Sequence, residues 1–160
     1  ANKGRQYVMR AQELGIMLDM SHISERGFWD TLEISKRPVI AGHSNSKAVC
    51  NVPRNLSDEQ FAALVRRGGG AGINLYPEFL GLGRDIDAVF AHIDHFMSLG
   101  GERSVFLGCD LDGIEETPRG ISGVQDLGKI YETLLRHNYS EQLVCDIFRN
   151  NILKVMEKAL

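Results

Sequence analysis

The sequence predicts an α/β fold of four consecutive strand–loop–helix units, a count that amounts to the C-terminal half of an eight-stranded (β/α) barrel: four parallel strands with flanking helices. Three observations carry this reading. Short apolar runs at 16–22, 38–43, 70–75 and 104–109 are each followed by a loop and a helical pattern, the layout of parallel sheets covered by helices. The runs are continuous rather than alternating, as in strands buried on both faces. A complete barrel of this type needs about 250 residues, and the chain has 160.

The chain opens in a helix, with Tyr7, Val8, Ala11 and Leu14 on one face of 6–14. Unit one is the strand 16–22 and a helix over about 24–36 with Phe28, Leu32 and Ile34 inward. Unit two is the strand 38–43, a long loop 44–56 and a helix over 57–67. A capping box opens that helix, with Ser57 three residues before Gln60. Unit three runs from Gly70 to Leu75, through a loop at Pro77, to a helix over 85–99. Unit four is the strand 104–109, a Gly/Pro-rich loop 110–123 and a helix over 124–136. Two short helices, 140–147 and 148–158, close the chain. Beginning without Met and inside a helical pattern, residues 1–160 read as a single partial domain. A four-stranded parallel piece leaves two open edges, so an N-terminal half from elsewhere or a second copy of the chain is expected to cover them.

Bulk properties exclude several function classes. A formal net charge of −3 and a pI near 6.0 give no electrostatic footprint for nucleic acid or an anionic membrane. No apolar run approaches the roughly 20 residues that span a bilayer, and the first residues lack the apolar core of a signal peptide. Three cysteines, Cys50, Cys109 and Cys145, without paired spacing suggest free thiols and a reducing, cytoplasmic compartment.

The candidate chemistry lies where the apolar runs stop. Run one ends on Ser21 and His22, run two on His43 and Ser44, run four on Asp110. In α/β folds, function sits at the carboxyl ends of the strands. Side-chain alternation places Leu18, Met20 and His22 on one face, and Val39, Ala41 and His43 on another. If both faces turn to the barrel axis, the two imidazoles meet over its mouth. They would then suit a borderline-soft divalent metal, or else hydrogen-bond to loop backbone. Asp110 could ligate that metal, accept a proton from water on it, or hold a substrate ammonium.

In the loop 44–56, Arg54 offers a planar fork to a carboxylate, or is a solvated surface arginine. Asp112 and Gly113 read as a turn, and Asp19, of opposite parity to His22, as facing the helices. His92 and His95, three apart on a helix, read as packing residues, His137 as a helix-terminal residue, and Cys109 as no nucleophile.

Several blocks together carry a resemblance: Leu18-Asp-Met-Ser-His22, Pro38-Val-Ile with His43-Ser44, Pro53-Arg-Asn-Leu56, Asn74-Leu-Tyr76, His92-Ile-Asp-His95 and Leu107-Gly-Cys-Asp-Leu-Asp-Gly113. They resemble the membrane (renal-type) dipeptidase family of zinc metallopeptidases over nearly the whole chain, but match only the C-terminal half of that family's barrel. The resemblance implies two zinc ions in the complete site and hydrolysis of dipeptides. It implies His22 and His43 as metal ligands, Arg54 with Asn55 as the clamp for the substrate carboxylate, and Asp110 as the acidic catalytic residue. The family's early His-x-Asp pair and bridging glutamate belong to the N-terminal half of its barrel, which the match does not cover, and a family tyrosine falls on Phe79. The expectation is a dipeptidase by descent, with little or no activity as this half alone. The other reading is a non-catalytic binding or assembly module on the same scaffold. A lysine-centred amidohydrolase is disfavoured, since no Lys ends a strand.

Overall fold

The computed structural model of the protein describes residues 2–160. In chain order the elements are α1 (Asn2–Glu13), α2 (Glu25–Ile34), β1 (Ile40–Ala41), α3 (Asp58–Arg66), β2 (Gly70–Ile73), α4 (Pro77–Leu80), α5 (Ile86–Ser98) and β3 (Val105–Leu107). A 3-10 turn at Val124–Asp126, α6 (Gly128–Arg136), α7 (Glu141–Cys145), a π turn at Asp146–Asn150 and α8 (Asn151–Ala159) complete the chain. The strands form one parallel sheet in the order β1-β2-β3, with Ile40 opposite Gly70 and Ala71 opposite Val105.

The sheet therefore has three strands among the described residues, where the sequence predicts four. The segment around Asp19 lies beside β1 but makes a single bridge, Asp19 to Ile40. There, Ile40 N–H donates to the Leu18 carbonyl at 3.0 Å and Met20 N–H to the Ile40 carbonyl at 2.7 Å. Left-handed backbone bounds it on both sides, at Gly15 (φ 71°) and His22 (φ 65°). That leaves room for one hydrogen-bonded pair and no ladder.

Helix starts follow their caps. Ser24, Ser57, Asp85 and Ser140 each accept from a backbone N–H of the first turn, and Ser57 with Gln60 completes the predicted capping box. The expected helix 124–136 is broken at Leu127, and the last two helices run into each other through the π turn.

Packing separates the two faces of the sheet. Val39, Ala41, Ala71, Ile73 and Val105 belong to the large core under the helices. Phe61 on α3 stacks on Phe96 of α5 there, ring centroids 4.0 Å apart. Ile40 and Phe106 point the other way, joining Met17 and Val155 of α8 in a small second cluster. This corrects the expected facing of strand two: Val39 and Ala41 lie in the large core, and Ile40 shares the opposite face of the sheet with Phe106, against α8.

Close approach governs the upper end of the sheet. A Cβ on Gly72 would lie 2.0 Å from the Gly42 carbonyl oxygen, and one on Gly108 would lie 1.8 Å from it. Backbone therefore occupies the space a side chain would need.

The loop 44–56 is held as firmly as the strands. Lys47 N–H donates to the Leu56 carbonyl and Leu56 N–H to the Asn45 carbonyl, both at 2.8 Å. The Asn45 side-chain amide holds the Asn74 main chain, its Oδ1 accepting from Asn74 N–H at 2.9 Å and its Nδ2 donating to the Asn74 carbonyl at 3.0 Å. From beneath, fully buried His92 of α5 accepts from Ser46 N–H at Nδ1 (3.1 Å) and donates from Nε2 to the Leu80 carbonyl (3.2 Å). This bonding pattern specifies the neutral Nε2–H tautomer. His95 pairs with Asp58 at 2.8 Å, tying α5 to α3.

Gly72→Ala is expected to destabilise the protein by about 3 kcal/mol or more. By contrast Gly4→Ala, in α1 with nothing within 4 Å of an added Cβ, should gain about 0.5–1 kcal/mol; denaturant midpoints compare the two. Burial holds the His92 pKa down to about 4 from 6.5. As pH falls, the unfolded chain takes up this proton before the folded one. The stability from neutral His92 is thus complete above about pH 6.5 and is lost between there and pH 4, by about 3 kcal/mol. Thermal unfolding across that window should show the loss, and His92→Gln should flatten it.

Candidate active site

Three chain segments leave the sheet side by side. His22 follows the bridged segment, His43 follows β1, and Asp110 lies three residues beyond β3. Their side chains converge: His22 Nε2 and His43 Nε2 are 3.0 Å apart, and the Asp110 carboxylate lies 3.9 Å from His43 Nε2. Convergence matches the sequence expectation, but strand alternation is not its cause. The strand has ended before each residue, and His22 (φ 65°) and Asp110 (φ 59°) adopt left-handed backbone, which re-aims their side chains. Such conformations are uncommon outside glycine and are concentrated at functional sites.

Asp19 is the largest departure from the expected arrangement. Instead of facing the helices it is exposed at the site. Its Oδ1 accepts from Ser21 N–H and Gly42 N–H, both at 2.8 Å, and its Oδ2 lies 4.0 Å from His43 Nδ1. An acid two residues before a hydroxyl residue, accepting from that residue's N–H, is a recognisable local turn; that is the signal in the sequence. Asn74 is the second residue not anticipated as part of the site. Its Nδ2 donates to Asp110 Oδ2 at 3.3 Å, while its Oδ1 accepts from Tyr76 N–H at 2.6 Å.

Arg54 is half-buried rather than solvated. It donates from Nη1 to Ser44 Oγ at 2.8 Å and from Nη2 to the His43 carbonyl at 3.0 Å, with its guanidinium 5.6 Å from the Phe79 ring centre. Its Nε is buried without a partner. Asn55, expected beside Arg54 at a carboxylate, is instead 3% exposed. Its Nδ2 donates to the Cys50 and Phe79 carbonyls, both at 2.9 Å. Its donors thereby tie the loop to itself at Cys50 and to α4 at Phe79, and hold Arg54's segment in place. A cleft of about 550 Å³ opens beside these groups, lined by His22, Ser44 and Arg54 over a floor of Met20, Phe28 and Leu56.

Burial, and then the Arg54 charge, push the His43 pKa below its ordinary value, favouring the neutral imidazole that ligates metals. Two nitrogens sharing a tetrahedral zinc with bonds near 2.05 Å stand about 3.3 Å apart, close to the observed 3.0 Å. The donor pair thus fits a divalent metal. Among the described residues, no group of three or more His, Cys, Asp or Glu side chains closes into a metal cage. Cys109 stays out of the chemistry: burial raises its pKa to about 11.

The profile of the membrane dipeptidase family, peptidase family M19, matches residues 1–160. A Klebsiella pneumoniae protein described as uncharacterized, in the pqqA 5′ region, is 34% identical over 160 residues, covering 96% of this chain and 59% of its own. The crystal structure of dipeptidase AC, a metallopeptidase of the same family, superposes with a TM-score of 0.94 at 33% identity, covering 99% of this chain and 48% of that one. A Rhodobacter sphaeroides metallopeptidase, crystallised with a phosphinate mimic of the dipeptide L-Ala-D-Ala, gives 0.94 at 34% identity, covering 100% of this chain and 47% of that one. The chain thus spans between 47% and 59% of the length of these proteins. On the match along its whole length, the chain belongs to the membrane dipeptidase family of metallopeptidases.

Proposed function

We propose that residues 1–160 are the C-terminal half of a (β/α)8 barrel, a single partial domain. In this reading they supply one side of a zinc dipeptidase site, which hydrolyses the amide bond of a dipeptide once the other half is present. The observation that supports it best is the meeting of His22, His43 and Asp110 within 4 Å of one another in successive contacts, 3.0 and 3.9 Å. The remaining half comes from an N-terminal segment or from association with another copy, which also covers the sheet edges left open here.

His22 and His43 hold the metal, zinc by the family's chemistry, through their facing Nε2 atoms. When bound, the metal supplies Lewis acidity at the scissile carbonyl and lowers the pKa of water. Catalytic zinc takes about three protein ligands, so two imidazoles alone make a weak site, and the isolated chain is expected to turn over little substrate. Arg54 receives the substrate's terminal carboxylate, its plane steadied by Phe79 and its loop by Asn55. Asp110 meets the substrate ammonium and moves a proton between water and the leaving amine. Asn74 donates to Asp110 Oδ2, the oxygen that lies 3.9 Å from His43 Nε2, and so steadies it beside the imidazole.

The chain is to be assayed on L-Ala-D-Ala with added Zn²⁺, alone and with the N-terminal half of a family member. Turnover is expected only in the combined sample, and Asp110→Asn should cut its kcat by about 10²–10⁴. Robust hydrolysis by the chain alone would contradict the division of the site. A combined sample that binds dipeptide but leaves it intact would favour a binding module on the same scaffold.

A further inference from the structure

We infer that Asp19 is a positioning residue for His43, and that Gly42 is glycine in order to admit Asp19's carboxylate. The inference rests on the ligand role proposed for His43. Asp19 reaches this place through its bridge to Ile40, which sets its side chain beside the turn that follows β1. One carboxylate oxygen is immobilised by two backbone donors, Ser21 N–H and Gly42 N–H, each at 2.8 Å. Fixing Oδ1 in this way turns Oδ2 toward His43 Nδ1, 4.0 Å away, on the ring edge opposite the Nε2 that faces His22. At 4.0 Å the contact is an ion-pair approach, and in this inference Oδ2 is the acceptor for the Nδ1 proton when His43 holds a metal. A carboxylate on the far nitrogen of a metal-binding histidine fixes the tautomer, orients the ring and raises its basicity as a ligand.

Gly42 supplies the independent observation. Its φ is not in the left-handed region, so its backbone would accept any residue. An added Cβ would nevertheless lie 2.3 Å from Asp19 Oδ2. The missing side chain at position 42 therefore corresponds to the oxygen that faces His43.

Asp19→Asn separates positioning from scaffolding. The amide oxygen still accepts from Ser21 and Gly42, so the turn is kept. The amide nitrogen is a donor and cannot receive a proton from His43 Nδ1–H. The test titrates the full chain with Zn²⁺ against a chromophoric chelator, and with Co²⁺ while recording visible absorption. Asp19→Asn should melt like the unaltered chain, weaken zinc binding 10- to 100-fold and shift the cobalt bands at saturation. Gly42→Ala should weaken zinc similarly, and do so much less when residue 19 is already Ala. Unchanged zinc affinity and cobalt bands in Asp19→Asn would overturn the inference while leaving the ligand role of His43 intact. Zinc uptake by the unaltered chain that survives His43→Ala, or no uptake at all, would overturn that ligand role and this inference together.

Discussion

The Gly42 carbonyl oxygen sets how closely the upper ends of the strands can approach, and the site depends on that approach. Gly72 and Gly108 both lie against it, at positions where a side chain would sit within about 2 Å of the oxygen. Each of these three glycines is followed within two residues by a polar residue of the site: His43, Asn74 and Asp110. Backbone packed this tightly places Asn74 Nδ2 3.3 Å and His43 Nε2 3.9 Å from the Asp110 carboxylate. A single Cβ would push two chain segments apart and disperse the groups, whatever it did to stability. The selection of glycine here is a matter of room rather than of turn geometry.

Proximity alone does not aim the side chains. His22 and Asp110 are turned by left-handed backbone, and in each case local bonding holds the turn. Beside His22, Ser21 Oγ accepts from His43 N–H at 3.0 Å and Ser21 N–H donates to Asp19. At Asp110, Gly113 N–H donates to the Asp110 carbonyl at 2.9 Å, and Gly113 itself leaves room for the carboxylate, which a Cβ would meet at 2.3 Å. The conformational cost of such residues, of order 1–3 kcal/mol, is offset by neighbours that allow no relaxed alternative. In α/β folds the turn after a strand carries the chemistry, and here its conformation decides where the chemistry points.

The sequence made the order of elements legible because hydrophobic periodicity and caps are local. The Ser57–Gln60 box and the runs at 70–75 and 104–109 needed no tertiary information. It also made legible that His22, His43 and Asp110 belong together, since each ends an apolar run. Their facing was not legible: alternation turned Val39 and Ala41 toward an expected barrel axis, whereas they pack in the large core and Ile40 and Phe106 take the other face, under α8. Whether the first run makes a ladder depends on the backbone at Gly15 and His22, which composition does not report. The surroundings of Asp19 and Asn55 were not legible for one reason. Both engage backbone groups distant in sequence, Gly42 for one and Phe79 for the other, and a linear pattern carries no trace of such partners.

Arg54 connects the substrate end of the proposed function to the metal end. Its Nη2 holds the carbonyl of His43 itself, and its Nη1 holds the neighbouring Ser44 hydroxyl. The guanidinium is therefore anchored to the same short stretch of main chain that presents the imidazole. A carboxylate taken by Arg54 and an amide carbonyl placed at His22 and His43 would be held at a fixed offset, because loop, helix and strand around them share the buried bonds of Asn45, Asn55 and His92. A fixed offset between carboxylate clamp and reacting centre acts as a ruler. In the proposed function it would select the bond one residue from a free C-terminus, since misplacement by even about 1 Å can cost on the order of 10²-fold in rate. Restriction to two residues would need a second anchor, the role proposed for Asp110 in meeting the substrate ammonium on the other side.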